Sequence, residues 1–188
     1  MLNKVIDKIT QLDAPSIVSI DGRCASGKTT LANQLKKDID CNVIHLDDFF
    51  LRPHQRTIER LKTPGGNIDY ERFEEEVLIP LKENCAFSYR PYNCTLKNFG
   101  DEIITPPKAI TIIEGSYSCH PKFIKFIDYK IFMDIDSTEQ LKRIEQRNGK
   151  IALKQFTEKW IPLEENYFDF YKISENCNLI IKNNKTMK

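Results

Sequence analysis

The chain has 188 residues, of which 40% are hydrophobic and 29% charged, and its formal net charge is +1 at pH 7. That length suits one domain, spanning residues 1–188, that is large enough to bury a core. A charge so near balance gives no electrostatic case for nucleic acid or an anionic membrane as partner, and no run approaches the roughly 18 apolar residues that cross a bilayer.

The opening residues, Met1 to Ile9, are amphipathic and are broken by lysines and acids, unlike a secretory signal. Strand Ser16 to Ile20 comes next, followed by a glycine-rich turn and a helix from Lys28 to Lys37. A second strand is predicted over Asn42 to Leu46. In Asp69 to Lys82, Phe73, Val77, Leu78 and Leu81 share one helical face, while Glu74, Glu75 and Glu76 point outward. Ile110 to Ile113 and Tyr129 to Met133 are apolar enough to be buried parallel strands. Ser137 is expected to cap a helix over Thr138 to Arg147. A further helix, Leu153 to Tyr171, is interrupted near Pro162, and Asn178 to Ile181 reads as a last strand. Arg52 to Asn67 and Arg90 to Pro107 read as irregular, and the basic run Ile181 to Lys188 as a solvated tail. Strands alternating with helices predict an α/β fold: a central parallel sheet flanked by helices, with ligands held beyond the carboxyl ends of the strands.

The six cysteines, Cys24, Cys41, Cys85, Cys94, Cys119 and Cys177, form no C-x-x-C pair. They are expected as free thiols of a cytoplasmic protein. Cys119-His120 is a poor basis for a zinc site.

Gly22-Arg23-Cys24-Ala25-Ser26-Gly27-Lys28-Thr29 matches G-x-x-x-x-G-K-[ST] in full, and a strand precedes it and a helix follows. The pattern defines a P-loop NTPase. Its backbone N–H groups cradle phosphate, Lys28 reaches the β- and γ-phosphates, and the Thr29 hydroxyl ligates Mg²⁺. Asp47 and Asp48 directly follow the second strand. A hydroxyl is a poor nucleophile, and a carboxylate placed there can orient it and take its proton, although an Asp pair also makes a good helix cap. Glu114 ends the strand at Ile110 to Ile113, where an acid can hold Mg²⁺ or meet the acceptor, or simply open a solvated turn. ATP (or GTP) with Mg²⁺ and a small-molecule hydroxyl acceptor are therefore the expected ligands.

With these residues in place, the chain resembles the uridine kinase family of P-loop kinases, to which nicotinamide riboside kinases and phosphoribulokinases are related. The resemblance rests on Asp21 to Leu31 (with Thr30 in the nucleotide-binding loop), on His45 to Phe50, on Gly65 to Phe73 and on Ile112 to Tyr117. It implies transfer of a γ-phosphate to a primary hydroxyl, commonly the 5′-hydroxyl of a nucleoside. It also implies that Asp48 is the catalytic aspartate, with Asp47 nearer metal or water, and that Glu114 lies near Mg²⁺ and the acceptor. Tyr92 would lie against the base, and Tyr117 in the loop after Glu114 would face the acceptor. Arg147 and Arg143 would be the lid arginines, on a lid of approximately residues 138–160, with Lys142 competing for the upstream position. Family members are often homo-oligomers.

Several of these positions carry a plainer alternative. Tyr92 could pack under a loop, and Glu139 with Arg143 forms an i,i+4 pair on a helix face. The histidine that uridine kinases carry after the stacking tyrosine is replaced here by Asn93 to Lys97. Arg52, Arg72 and Arg90 make a phosphorylated acceptor conceivable. A nicotinamide riboside, sugar phosphate or other alcohol acceptor therefore stands beside a nucleoside. A nucleotide-binding switch without an acceptor is the non-kinase alternative.

Overall fold

The computed structural model describes residues 2–183. The end of the predicted basic tail, residues 184–188, lies outside the described residues.

The N-terminal elements are α1 (Leu2–Ile9), β1 (Ser16–Gly22), α2 (Lys28–Asp38) and β2 (Cys41–His45). Then come α3 (Ile58–Lys62), α4 (Tyr70–Phe73) and α5 (Ile79–Lys82), the last two joined by a π-turn at Glu74–Leu78. Four short strands, β3 (Phe87–Tyr89), β4 (Tyr92–Asn93), β5 (Asn98–Phe99) and β6 (Ile103–Thr105), precede β7 (Ile110–Glu114) and β8 (Tyr129–Asp134). The chain closes with α6 (Ser137–Gln155), α7 (Ile161–Phe170) and β9 (Leu179–Lys182).

Five strands form a sheet in the order β2-β7-β1-β8-β9, and every pairing is parallel. Helices cover both faces, so the strands bury side chains on both sides. On β1, Ile17 joins one apolar cluster while Val18 and Ile20 join the other. β8 splits likewise, with Phe132 on one side and Ile131 and Met133 on the other. The register sets Glu114 opposite both Ile20 and His45. The carboxyl ends of β1, β7 and β2 are therefore level, and the three predicted site segments leave the sheet side by side.

The helix expected over 69–82 forms, with Asp69 as its cap accepting from the Arg72 amide. Phe73, Val77, Leu78 and Leu81 are buried as predicted. Four expectations need correction. Arg52 to Asn67 is not irregular throughout, since it holds a 3₁₀ turn at Pro53–Gln55 and α3, capped by Thr57. The cap of α6 is Asp136, whose carboxylate accepts from the Thr138 and Glu139 amides; Ser137 is the first helical residue. α6 runs through to Gln155 but loses helical geometry at Gly149, where φ is 81° and ψ 168°. Arg90 to Pro107 is not irregular, because β4 pairs with β5, and β6 pairs back onto β3. Strands of two or three residues are too short to show a period.

Candidate active site

The turn after β1 is built for an anion. Gly22 has φ 131°, and a Cβ there would collide with the Met133 backbone, so β1 and β8 close together only over a glycine. Lys28, 9% exposed, arches over the loop and donates through Nζ to the Gly22 and Arg23 carbonyls at 2.7 and 2.9 Å. Burial, with Glu164 beside it, pushes the Cys24 thiol up to about 12. It stays protonated and is no nucleophile.

Two side chains beyond the sheet meet this loop. The Thr29 hydroxyl donates to the Glu114 carboxylate at 3.1 and 3.2 Å, and His45 Nδ1 lies 2.6 Å from Glu114 Oε1. That hydrogen bond raises the His45 pKa, so the imidazolium is favoured against the carboxylate. Among the described residues no group of three or more His, Cys, Asp or Glu side chains is arranged to hold a metal unaided. Thr29 with Glu114 fits Mg²⁺ instead, an ion that takes one or two protein groups and completes its shell with phosphate and water.

A cleft of about 1160 Å³ opens over these residues. It is lined by Lys28, Thr29, Asp47 and Glu114, and also by Phe50, Asn67, Tyr117, Arg147, Lys159, Trp160 and Glu164. Asp47 is open to solvent within the cleft, but the surrounding walls raise its carboxyl pKa from the ordinary value, and Glu114, Glu164 and Asp48 add repulsion against the pull of Lys28. Asp48 does not line the cleft. Its Oδ2 lies 3.5 Å from the Tyr89 hydroxyl, and Arg72 donates to its backbone carbonyl at 2.7 Å. The cause is local: Leu46–Phe49 is a 3₁₀ turn, so adjacent side chains diverge by about a third of a turn.

The residues expected to form a lid lie on α6 and the following π-turn at Phe156–Trp160, while α7 packs Tyr167 and Phe168 into the core. Arg143 pairs with Glu139 at 2.9 Å and reaches the Ala25 and Asn183 carbonyls at 3.4 and 3.1 Å. Arg147 is exposed, lines the cleft and donates to Asn148 at 2.7 Å. Lys142 is exposed and does not line the cleft.

No family model matches the chain. Uridine kinases from strains of Staphylococcus aureus are 29% identical to it over 150 residues, covering 74% of this chain and 71% of theirs. The chain is similar to the uridine kinases over most of its length and is a phosphotransferase. A Bacillus stearothermophilus structure described as a possible uridine kinase matches with a TM-score of 0.71 at 19% identity, over 96% of both chains. A Silicibacter sp. TM1040 structure, described as a candidate fructose transport system kinase, matches with a TM-score of 0.71 at 18% identity, over 96% of this chain and 98% of that one. These likenesses show the P-loop kinase fold.

In this phosphotransferase the structure gathers Lys28, Thr29, Asp47, Glu114, Tyr117, Arg143 and Arg147 around one cleft. It does not bring Asp48, Arg52, Arg72 or Tyr92 to the cleft wall. Arg52 holds Gln55 at 3.0 Å and Asp69 at 3.4 Å. Arg72 lies 4.2 Å over the Phe49 ring and donates to the Arg90 carbonyl. Tyr92 is buried against Phe99, with ring centroids 5.5 Å apart. His120 stacks on Tyr167, and burial lowers its pKa to about 4.

Sequence reasoning passed over Glu164, Ser116 and Asp21 as site residues. Asp21, wholly buried at the end of β1, accepts from the amides of Gly22, Tyr117 and Cys119 and from the Tyr167 hydroxyl. One carboxylate thereby ties the phosphate loop, the loop after β7 and α7 together. Its place just ahead of the motif was the available signal. Glu164 sits in no motif at all.

Proposed function

We propose that this chain is an ATP-dependent kinase that phosphorylates the primary hydroxyl of a nucleoside-type acceptor, with Asp47 as its general base. The convergence of Lys28, Thr29, Asp47 and Glu114 on one cleft carries this reading. The loop amides and Lys28 hold the phosphates, and Thr29 with Glu114 would hold Mg²⁺, which neutralises phosphate charge when bound. Asp47 orients the acceptor hydroxyl and takes its proton. The acceptor oxygen then bonds to the γ-phosphorus as the bond from that phosphorus to the β-phosphate oxygen breaks, leaving a phosphomonoester and ADP. Arg147, on the lid arm, adds positive charge as the lid closes.

The rest of the cleft lining supports the acceptor class. Phe50, Tyr117 and Trp160 give flat apolar wall, and Asn67 gives a polar contact, which together suit a heterocycle on a sugar. Arg52 and Arg72 are engaged in internal contacts, which weighs against a sugar phosphate held by those two side chains. The six free cysteines suit a reducing cytoplasm. The test is coupled ADP release across nucleosides, nicotinamide riboside, pantothenate and sugar phosphates. ADP release that depends on a nucleoside-type compound is the expected result. Nucleotide binding with no acceptor-stimulated turnover across the panel would point instead to a binding module.

A further inference from the structure

α7 is clasped to the phosphate loop and to Asp21 just ahead of it by three contacts. Glu165 forms an ion pair with Arg23, and the Tyr167 hydroxyl donates to Asp21 at 2.8 Å. The third contact is of a different kind. Glu164 Oε2 accepts from the backbone N–H of Cys24 at 2.9 Å, and Oε1 accepts from the Ser116 hydroxyl at 2.6 Å. Ser116 Oγ is itself 3.3 Å from Lys28 Nζ. The Glu164 side chain is 5% exposed and lines the cleft.

A phosphate loop works because its amides and lysine offer themselves to an anion. Here a carboxylate of α7 already holds the amide of Cys24, a residue of that loop, and lies within one hydroxyl of the lysine that reaches the β- and γ-phosphates. A residue serving only to tether α7 would not need a charge at this point, since Glu165 and Tyr167 already tether it.

We propose that Glu164 is a specificity-determining residue that competes with the terminal phosphate, so that it opposes a nucleoside triphosphate more than a diphosphate. Two negative groups a few ångströms apart in a cleft repel strongly, and the triphosphate brings its extra charge to the Lys28 end. Binding of ATP then requires Glu164 to give up the Cys24 amide, which loosens α7 and couples that helix to the phosphate state of the nucleotide. This inference rests on the assignment of the cleft as a nucleotide site.

The test compares ATP and ADP affinities, with Mg²⁺, for the full chain and for Glu164→Gln, Glu164→Ala and Glu165→Gln, using calorimetry. Both Glu164 variants are expected to bind ATP roughly tenfold more tightly and ADP nearly as the parent does. Glu165→Gln, which removes a charge one residue away, is expected to leave the ATP-to-ADP ratio unchanged. Equal or weaker ATP binding by Glu164→Gln, with its fold intact by circular dichroism, would overturn the proposal. Circular dichroism and Glu164→Ala together separate a folding defect from a lost competitor. Failure of the parent chain to bind either nucleotide would overturn the nucleotide reading itself.

Discussion

Asp47 and Asp48 are neighbours with different surroundings: one lines the cleft beside Lys28 and Glu114, the other lies by His45, Tyr89 and Arg72. Asp47→Asn should therefore lower turnover by about 100-fold or more, with ATP affinity within about threefold of the parent. Asp48→Asn should cost less than about tenfold. Coupled ADP-release kinetics alongside nucleotide titration separate the two, and equal losses would put Asp48 back in the chemistry. Asp47 must be ionised to accept a proton, and its pKa is raised, so activity should fall on acidification at a pH above the ordinary 3.8. A second test at this scale concerns Asp21, which burial lifts from 3.8 to about 6. Between those values the folded chain holds a proton that the unfolded chain has released, so this group's contribution to stability declines as pH rises through the window. The decline is on the order of 3 kcal/mol. Urea unfolding from pH 4 to 7 should show the parent losing stability relative to Asp21→Asn, and a flat difference would contradict the burial argument. The motif made Lys28 and Thr29 legible without coordinates. Choosing between two adjacent aspartates was not legible, because the choice turns on the direction of a 3₁₀ turn.

At the scale of elements, the proposed lid arm carries one break, and a clasp on α7 follows it. Gly149 leaves helical geometry in the middle of α6, with open space around its absent Cβ. Alanine has room there but not the conformation, which costs roughly 1–3 kcal/mol for a residue with a side chain. Gly149→Ala should straighten the arm and reduce turnover by roughly three- to thirtyfold, while the melting temperature moves by only a few degrees. Parent-like turnover would show that the arm does not hinge at this residue. The break near Pro162 was legible from the chain, since a proline removes a helix donor; it falls where the π-turn Phe156–Trp160 hands over to α7, with Pro162 in the first turn. The hairpins within residues 90–107 were not legible, because their strands draw their order from partners and not from local pattern.

For the whole molecule, a ligand that binds only the folded chain adds stability by mass action. ATP with Mg²⁺ at about 100 times its Kd should add roughly 2.7 kcal/mol, raising the melting temperature by about 5–10 °C. Lys28→Ala should abolish most of that shift in a thermal-melt assay, and an undiminished shift would place the nucleotide elsewhere. The sequence by itself determined the α/β class, the phosphate loop and the segments that face it, because parallel strands buried on both faces read as apolar runs and because phosphate chemistry demands particular residues at particular spacing. Only the tertiary structure decided that Asp47 lines the cleft while Arg52, Arg72 and Tyr92 are occupied elsewhere. It also brought Glu164 onto the Cys24 amide, across 140 residues of chain. Contacts of that kind depend on where α7 lands after the sheet has closed, and no local pattern encodes such a distance.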